Sequence, residues 1–246
     1  MSDRTTTNTL AGQLALVTGA SRGIGYVIAK ALAASGAHVI ALARTVGGLE
    51  ELDDDIKSAG GSATLVVADL KDFDGIDRLG AQIYERWGRL DILVGNAGVL
   101  GPISPLGHVE QKAWDDVMAI NVTANWRLIR SLDPLLRQSA AGRALVVSSG
   151  AAVSRRAFWG PYSVSKAALE ALIATYAHET EITGVKANLF NPGPIRTAMR
   201  ARAMPGEDPE TLATPEALIP SILPLLSPDL TVSGRTFNFP TGTWRD

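Results

Sequence analysis

Seven short runs rich in valine, leucine, isoleucine and alanine recur along the chain with helix-like stretches between them. They read LALVTG, HVIALA, ATLVVA, DILVGN, ALVVSS, VKANLF and RTFNF, beginning near residues 14, 38, 63, 91, 144, 185 and 235. Runs that are apolar at nearly every position suit strands covered on both faces, and strands separated by helical segments pair in parallel. The expected fold is therefore α/β, a doubly wound sheet of seven mainly parallel strands with helices on both faces. GYVIAKALAASG and GIDRLGAQIYERWG each close on a glycine, which can take the left-handed conformation of a helix stop.

No linker, repeat or low-complexity tract breaks this alternation, so residues 12–246 are expected to form a single domain, preceded by a flexible polar tail over residues 1–11. The widest irregular stretch, PGPIRTAMRARAMPGEDPETLAT at 192–214, is long enough to be a functional lid or to lack order. Beyond it, TPEALIPSILPLL offers Thr214 as a cap and Pro215 at a first helical position, while Pro220 and Pro224 should kink or interrupt the helix. The chain has no cysteine, which excludes disulfides, thiolate nucleophiles and zinc–thiolate sites, and its three histidines, His38, His108 and His178, stand singly. No metal site is expected. A net charge of −2 gives no electrostatic reason to expect nucleic acid or an anionic membrane as a partner. No stretch is apolar for the roughly 18 residues of a membrane span, and the start lacks a secretory pattern. A cytoplasmic location is expected.

In LALVTGASRGIGYVIAKAL, Gly19, Gly23 and Gly25 fall between the first strand and the first helix. Glycines there let the backbone turn tightly and approach an anion, while the free N–H groups and dipole of the helix end attract it. This is a phosphate cradle for a dinucleotide, against the plainer reading of a glycine-rich turn. At the end of the second strand stand Ala43 and Arg44, with no carboxylate to take the ribose hydroxyls. With Arg22 in the loop, NADP(H) is expected in preference to NAD(H), which stays possible; alternatively Arg44 is only a solvated charge.

PYSVSK puts Tyr162 and Lys166 four positions apart, on one face of a helix, where an ammonium can favour the ionised phenol. With four tyrosines and six lysines in 246 residues, such a pair arises by accident about one time in ten. Tyr26 and Lys30 share the spacing, but lie in the helix behind the glycine loop, where packing and a solvated charge explain them.

Taken together, TGASRGIG at 18–25, NAG at 96–98, Asn121, Ser149, YSVSK at 162–166 and NPGPIRT at 191–197 resemble the short-chain dehydrogenase/reductase family, in the family's order over almost the whole chain. The resemblance implies a Rossmann-like fold and an NADP-dependent oxidoreductase of the alcohol dehydrogenase or ketone reductase type. Gly19, Ser21, Arg22, Gly23, Ile24 and Gly25 would line the phosphates and ribose, Asp69 and Leu70 the adenine, and Asn96, Ala97 and Gly98 the cofactor's flank. Pro192, Gly193, Ile195 and Thr197 would hold the nicotinamide end, and residues 194–214 would be the substrate loop. Tyr162 would act as general acid or base, Lys166 would lower its pKa and hold the ribose, Ser149 would stabilise the substrate oxygen, and Asn121 would support a water path to the lysine. Ser148 is the rival to Ser149, but successive strand residues face opposite ways and only one should face the site.

Phe158, Trp159, Leu100, Pro102 and Met199 suggest an apolar substrate pocket for a small carbonyl or alcohol, or else aromatics packed in the core or between subunits; the resemblance implies dimer or tetramer contacts through AALEALIATYAHE, whose alanines equally suit packing on its own sheet. The end, GRTFNFPTGTWRD, departs from the family's Asp-Gly-Gly turn: Phe237 to Pro240 can supply the last strand and turn, any role of the tail at the site is put in doubt, and Trp244 needs burial or a partner. Two other functions stay open: a cofactor-binding sensor or scaffold without turnover, and an epimerase or dehydratase, for which 246 residues leave little room.

Overall fold

The computed structural model describes residues 9–246. Among them, one sheet contains β1 Leu14–Thr18, β2 His38–Ala43, β3 Ser62–Val67, β4 Ile92–Gly95, β5 Arg143–Val147, β6 Lys186–Asn191, β7 Thr236–Asn238 and β8 Thr243–Arg245. The order is β3-β2-β1-β4-β5-β6-β7-β8, parallel except for the last pair. The helices are α1 Gly23–Ala34, α2 Val46–Ser58, α3 Phe73–Trp87, α4 Gln111–Met118, α5 Ala124–Gln138, α6 Ala151–Ser154, α7 Gly160–Glu179, α8 Ala198–Ala203 and α9 Ile219–Leu225. Gly36 and Gly88, the two glycines expected to stop helices, have φ of 94° and 76°. At the other end of α3, the Asp72 carboxylate accepts from the Gly75 amide at 3.0 Å.

The period of two along β1 explains the double winding. Ala15 and Val17 join a core with Ile28 and Leu32 of α1, Leu52 of α2 and Ile222 of α9. Leu14 and Leu16 join the opposite core, with Ile76 and Leu79 of α3, Leu128 and Leu132 of α5 and Ile173 of α7. Every residue of β1, β4 and β5 is buried, as strands covered on both faces require.

The sheet has eight strands where seven were expected. After β7 the chain turns at residues 239–242 and returns antiparallel as β8, a three-residue strand too short to register as a periodic run. Trp244 packs edge-on against Phe237, with ring centroids 5.4 Å apart, which buries much of its indole. At the opposite end of the chain, residues 1–8 of the expected tail lie outside the described residues. Leu10, by contrast, is docked: its amide donates to the Ser35 carbonyl at 2.9 Å and its side chain is buried in the core. The stretch 192–214 is also more ordered than its composition suggests, because it contains α8 and a 3-10 turn at Pro209–Thr211. Ion pairs Arg200–Glu207 and Arg196–Glu210 brace it. Thr214 makes no capping bond to a backbone amide; a 3-10 turn at Pro215–Leu218 gives way to α9, with Pro220 in its first turn and Pro224 inside it.

Arg143 at the start of β5 is buried without a carboxylate partner among the described residues. Its guanidinium donates instead to the carbonyls of Gly142 (2.8 Å), Ser227 (2.9 Å), Gly184 and Leu230 (both 3.2 Å), and Pro228. Burial pushes its pKa down and the Asp229 charge opposes that, while bonds to five carbonyls tie the guanidinium and the 227–230 loop to the sheet. Arg143→Met should lower the unfolding free energy by about 1–3 kcal/mol, the cost of buried acceptors left without a donor. A denaturant midpoint equal to that of the wild type would show the clamp to be dispensable.

Candidate active site

The sheet order reverses beside β1, whose neighbours are β2 and β4, and a cleft opens there at the carboxyl ends of the strands. Its volume is about 640 Å³, within the range of small-molecule and cofactor sites. Each strand end delivers a part of the lining. Gly19, Ser21, Arg22, Gly23 and Ile24 follow β1, Arg44 follows β2, Asp69 and Leu70 follow β3, and Asn96, Ala97 and Gly98 follow β4. Ser149 follows β5, Tyr162 and Lys166 come from α7, and Pro192, Gly193, Ile195 and Thr197 follow β6.

Two residues of the expected set lie just behind the lining. Gly25 supports the cradle from below: a Cβ there would run into the Gly19 carbonyl and the Asn96 amide group, so the close approach of loop to helix requires glycine. Asn121 lies in a π-helical turn at Ala119–Thr123 between α4 and α5 and is fully buried. Its Oδ1 accepts from the Val99 amide at 2.8 Å, and its Nδ2 donates to the Val99 carbonyl and the Ser165 hydroxyl, both at 2.9 Å. The amide thus fixes the segment after β4 to α7.

At the centre, Tyr162 is nearly buried against Leu100 and Ala151, with Trp159 edge-on at 6.1 Å. Burial raises the phenol's pKa, and the Ser149 hydroxyl beside it offsets part of that rise. Lys166 Nζ donates to the Val147 carbonyl at 2.7 Å and sits 5.8 Å from the Tyr162 ring centroid. Its own pKa is depressed to about 8 by burial, with Glu170 pulling the other way. The expectation that the ammonium lowers the phenol therefore meets an opposing effect in this structure: desolvation disfavours charge on both groups. Ser148, the rival serine, is buried and donates to Glu170 Oε1 at 2.7 Å, whereas Ser149 is partly exposed on the Tyr162 side.

The decoy tyrosine has a different environment. Tyr26 donates to Asp55 Oδ2 at 2.9 Å and Lys30 reaches the same oxygen at 2.7 Å, so the carboxylate takes up the lysine's charge. Burial and that bond push Tyr26 up to about 12. At the outer end of the cleft, Arg44 is largely exposed, with Nη1 3.7 Å from Asp69 Oδ2, a loose pairing worth little in water. Of the residues read as an apolar pocket, Leu100, Trp159 and Met199 line the cleft; Phe158 and Pro102 do not. Phe158 is exposed, with φ of 72°.

The short chain dehydrogenase family model matches residues 13–208. This chain belongs to the short chain dehydrogenase family of oxidoreductases. It is 37% identical over 234 residues to the uncharacterized oxidoreductase YciK of Escherichia coli (strain K12), covering 94% of this chain and 92% of that one. It is 34% identical to mouse dehydrogenase/reductase SDR family member 4, over 77% of this chain and 68% of that protein. A short chain dehydrogenase from Pseudomonas syringae superposes with a TM-score of 0.91 at 41% identity, covering 94% of this chain and 96% of the other. One from Escherichia coli CFT073, complexed with NADPH, gives 0.91 at 37% identity, covering 94% and 98%.

Two residues inside the quoted motifs, Thr18 and Thr197, support this dehydrogenase's site through bonds that the motifs do not spell out. Thr18 closes β1 and its Oγ1 accepts from the Asn96 and Ala97 amides at 3.0 and 3.1 Å, holding the turn after β4. A hydroxyl ending an otherwise apolar strand was the available signal. Thr197 caps α8 by accepting from the Arg200 amide at 3.2 Å. Asn121→Leu, which keeps the bulk but leaves Val99 without partners, should cost about 1–3 kcal/mol of stability. Chemical denaturation checks this, and an unchanged midpoint would mean that water replaces the amide.

Proposed function

We propose that the protein transfers a hydride between NADP(H) and a carbonyl or secondary alcohol. The observation that carries this reading is that Tyr162, Ser149 and Lys166 line the same cleft as the glycine loop, with Ser149 in hydrogen-bond reach of Tyr162. The cradle suits a dinucleotide: at Gly19 a Cβ would press on Ala97 and Asn96, so backbone must approach there, and the first turn of α1 offers free amides to a pyrophosphate. Arg22 and Arg44, both at the rim, supply charge for a 2′-phosphate. The relative from Escherichia coli CFT073, and one from Shigella flexneri complexed with NADP, support the choice of cofactor. NAD(H) is the alternative for a rim in which Arg44 stays solvated.

Bound, the nicotinamide supplies or accepts the hydride. The protein's part is to position the carbonyl and move its proton. Ser149 donates a hydrogen bond to the substrate oxygen, and Tyr162 gives that oxygen a proton in reduction or removes it in oxidation. Lys166 holds the ribose and favours the phenolate, and Asn121, through Val99 and Ser165, keeps the lysine's surroundings fixed. Leu100, Trp159 and Met199 give the substrate an apolar wall. We assign residues 194–214, with α8, to a loop that covers the substrate. An exposed line of Val164, Ala167 and Ala171 on α7 suits close helix packing in a homodimer or homotetramer. Among the described residues no helix is long and apolar enough to cross a membrane. That accords with a cytoplasmic enzyme of small molecules.

A panel of carbonyls and alcohols followed by cofactor absorbance tests the reading. Tyr162→Phe should cut turnover by about 100- to 10,000-fold, the usual worth of a general acid, with NADPH affinity nearly unchanged. Near-normal turnover would refute the assignment, and tight NADPH binding without turnover of any carbonyl would favour a sensor. Arg44→Asp should shift preference towards NAD(H); an unaltered ratio of kcat/KM for the two cofactors would remove Arg44 from phosphate recognition.

A further inference from the structure

The terminal strand β8 reaches the back of the site. Arg245 donates from Nη2 to both oxygens of Glu170, each at 2.8 Å, and more loosely to the Thr236 hydroxyl at 3.4 Å. Glu170 is one helical turn beyond Lys166 on α7, and its Oε1 also accepts from Ser148 at 2.7 Å. Ser148 is the residue immediately before Ser149. One carboxylate thus joins three pieces of chain: the exit of β5 that carries Ser149, the helix that carries Tyr162 and Lys166, and the terminal strand. The junction is shielded, since the Glu170 and Arg245 side chains are 17% and 30% exposed, and the Trp244–Phe237 contact holds β8 in register against β7.

Resting on the catalytic reading above, we propose that Glu170 and Arg245 are a pair of positioning residues for Ser149, Tyr162 and Lys166. Through them, the terminal strand sets how much of the Glu170 charge reaches the lysine. The groups around Lys166 leave Glu170 as the dominant charge. Tyr162 and Glu170 face it from α7, the Val147 carbonyl from β5, and Gly98 and Asn121 from the segments after β4 and after α4. Facing Glu170 are Ser148 from the exit of β5 and Arg245 from β8, while Arg235 and Asp246 neutralise each other at 2.6 Å. Burial pulls the Lys166 pKa to about 8 and Glu170 opposes that pull. Arg245 offsets Glu170 in turn, so the two members of the pair act on the ammonium with opposite sign.

Opposite signs separate this role from a structural one. The protein labelled with ¹⁵N-lysine, its Lys166 signal assigned by Lys166→Met, reports the lysine's titration midpoint directly. Glu170→Gln, which keeps an acceptor for Ser148, should move that midpoint to lower pH. Arg245→Gln should move it to higher pH, each by roughly half a pH unit or more as expected for a nearby charge. Arg245→Lys should return it to the wild-type position. The alkaline limb of carbonyl reduction should follow the same directions, with KM for NADPH changed less than kcat. Midpoints that stay put, or that move the same way in both Gln variants, would overturn the proposal, and circular dichroism identifies a variant that has lost its fold. Opposed shifts in a protein that turns over no carbonyl would support the pair and count instead against the oxidoreductase reading.

Discussion

A parallel sheet covered on both faces has only its strand ends free for chemistry, and the arrangement of the cleft follows from that constraint. Because β1 to β7 all run the same way, each hands its carboxyl end to one edge. Residues as distant in sequence as Gly19, Ser149 and Thr197 then meet without any of them being near another in the chain. The winding reverses beside β1, and the two halves separate there to leave the opening. Burial on both faces also removes competing sites, since side chains in the middle of the strands are committed to one core or the other.

The same burial shapes the electrostatics. Three tyrosines illustrate it. Tyr26 and Tyr176 each donate to a carboxylate, Asp55 and Asp133, and both phenols are pushed up, Tyr26 to about 12 and Tyr176 beyond the range where it could exchange protons. Tyr162 is also raised by burial, but its neighbours are a serine hydroxyl and a lysine, and no carboxylate takes its proton-donating bond among the described residues. What distinguishes Tyr162, the proposed proton donor, is therefore the absence of a carboxylate bonded to its hydroxyl as much as the presence of a cation. An added positive charge in the cleft acts on Tyr162 in a low-dielectric setting, where it counts for more than in water.

Much of this was legible in the sequence because it is periodic or local. Runs apolar at every position gave the strands, glycines gave the helix stops, and the glycine loop gave the rim of the cleft. What escaped was set by long-range pairing. β8 is three residues long and owes its place to β7 and to Trp244 on Phe237, which no local pattern encodes. Leu10 looked like part of a polar tail because its neighbours are polar, yet its amide finds Ser35 and its side chain finds the core. Arg143 stands outside every motif, and only the tertiary fold reveals the carbonyls that hold it. At the site, Tyr162 and Lys166 share a helix and could be paired by spacing, whereas Ser148 and Arg245 meet at Glu170 across 97 residues of chain. Alternation said that only one of Ser148 and Ser149 should face the site, the spacing of thirteen residues before Tyr162 favoured Ser149, and the bond from Ser148 to Glu170 commits the other hydroxyl elsewhere.

The charge of the cleft runs against that of the whole protein. The chain carries a net charge of −2, but the charged side chains lining the opening are Arg22, Arg44, Lys166, Arg200 and Arg202 against Asp69 alone. Glu207 neutralises Arg200 from outside the lining, and Asp69 lies loosely against Arg44. Arg22 and Arg202 have no carboxylate partner among the described residues. A concave, low-dielectric wall concentrates the field of such charges, so an anion is drawn to the opening even though the surface as a whole repels it weakly. Arg22 and Arg44 stand at the end where a dinucleotide's phosphates would enter. Arg202 stands on α8, beside Met199 and Ala203, at the end where the substrate wall begins. The two ends are thus graded, cationic and solvated beside Arg22 and Arg44, apolar and buried around Tyr162, and on the proposed reading the steepness of that change would let one cleft both take a charged cofactor and keep the Tyr162 phenol neutral.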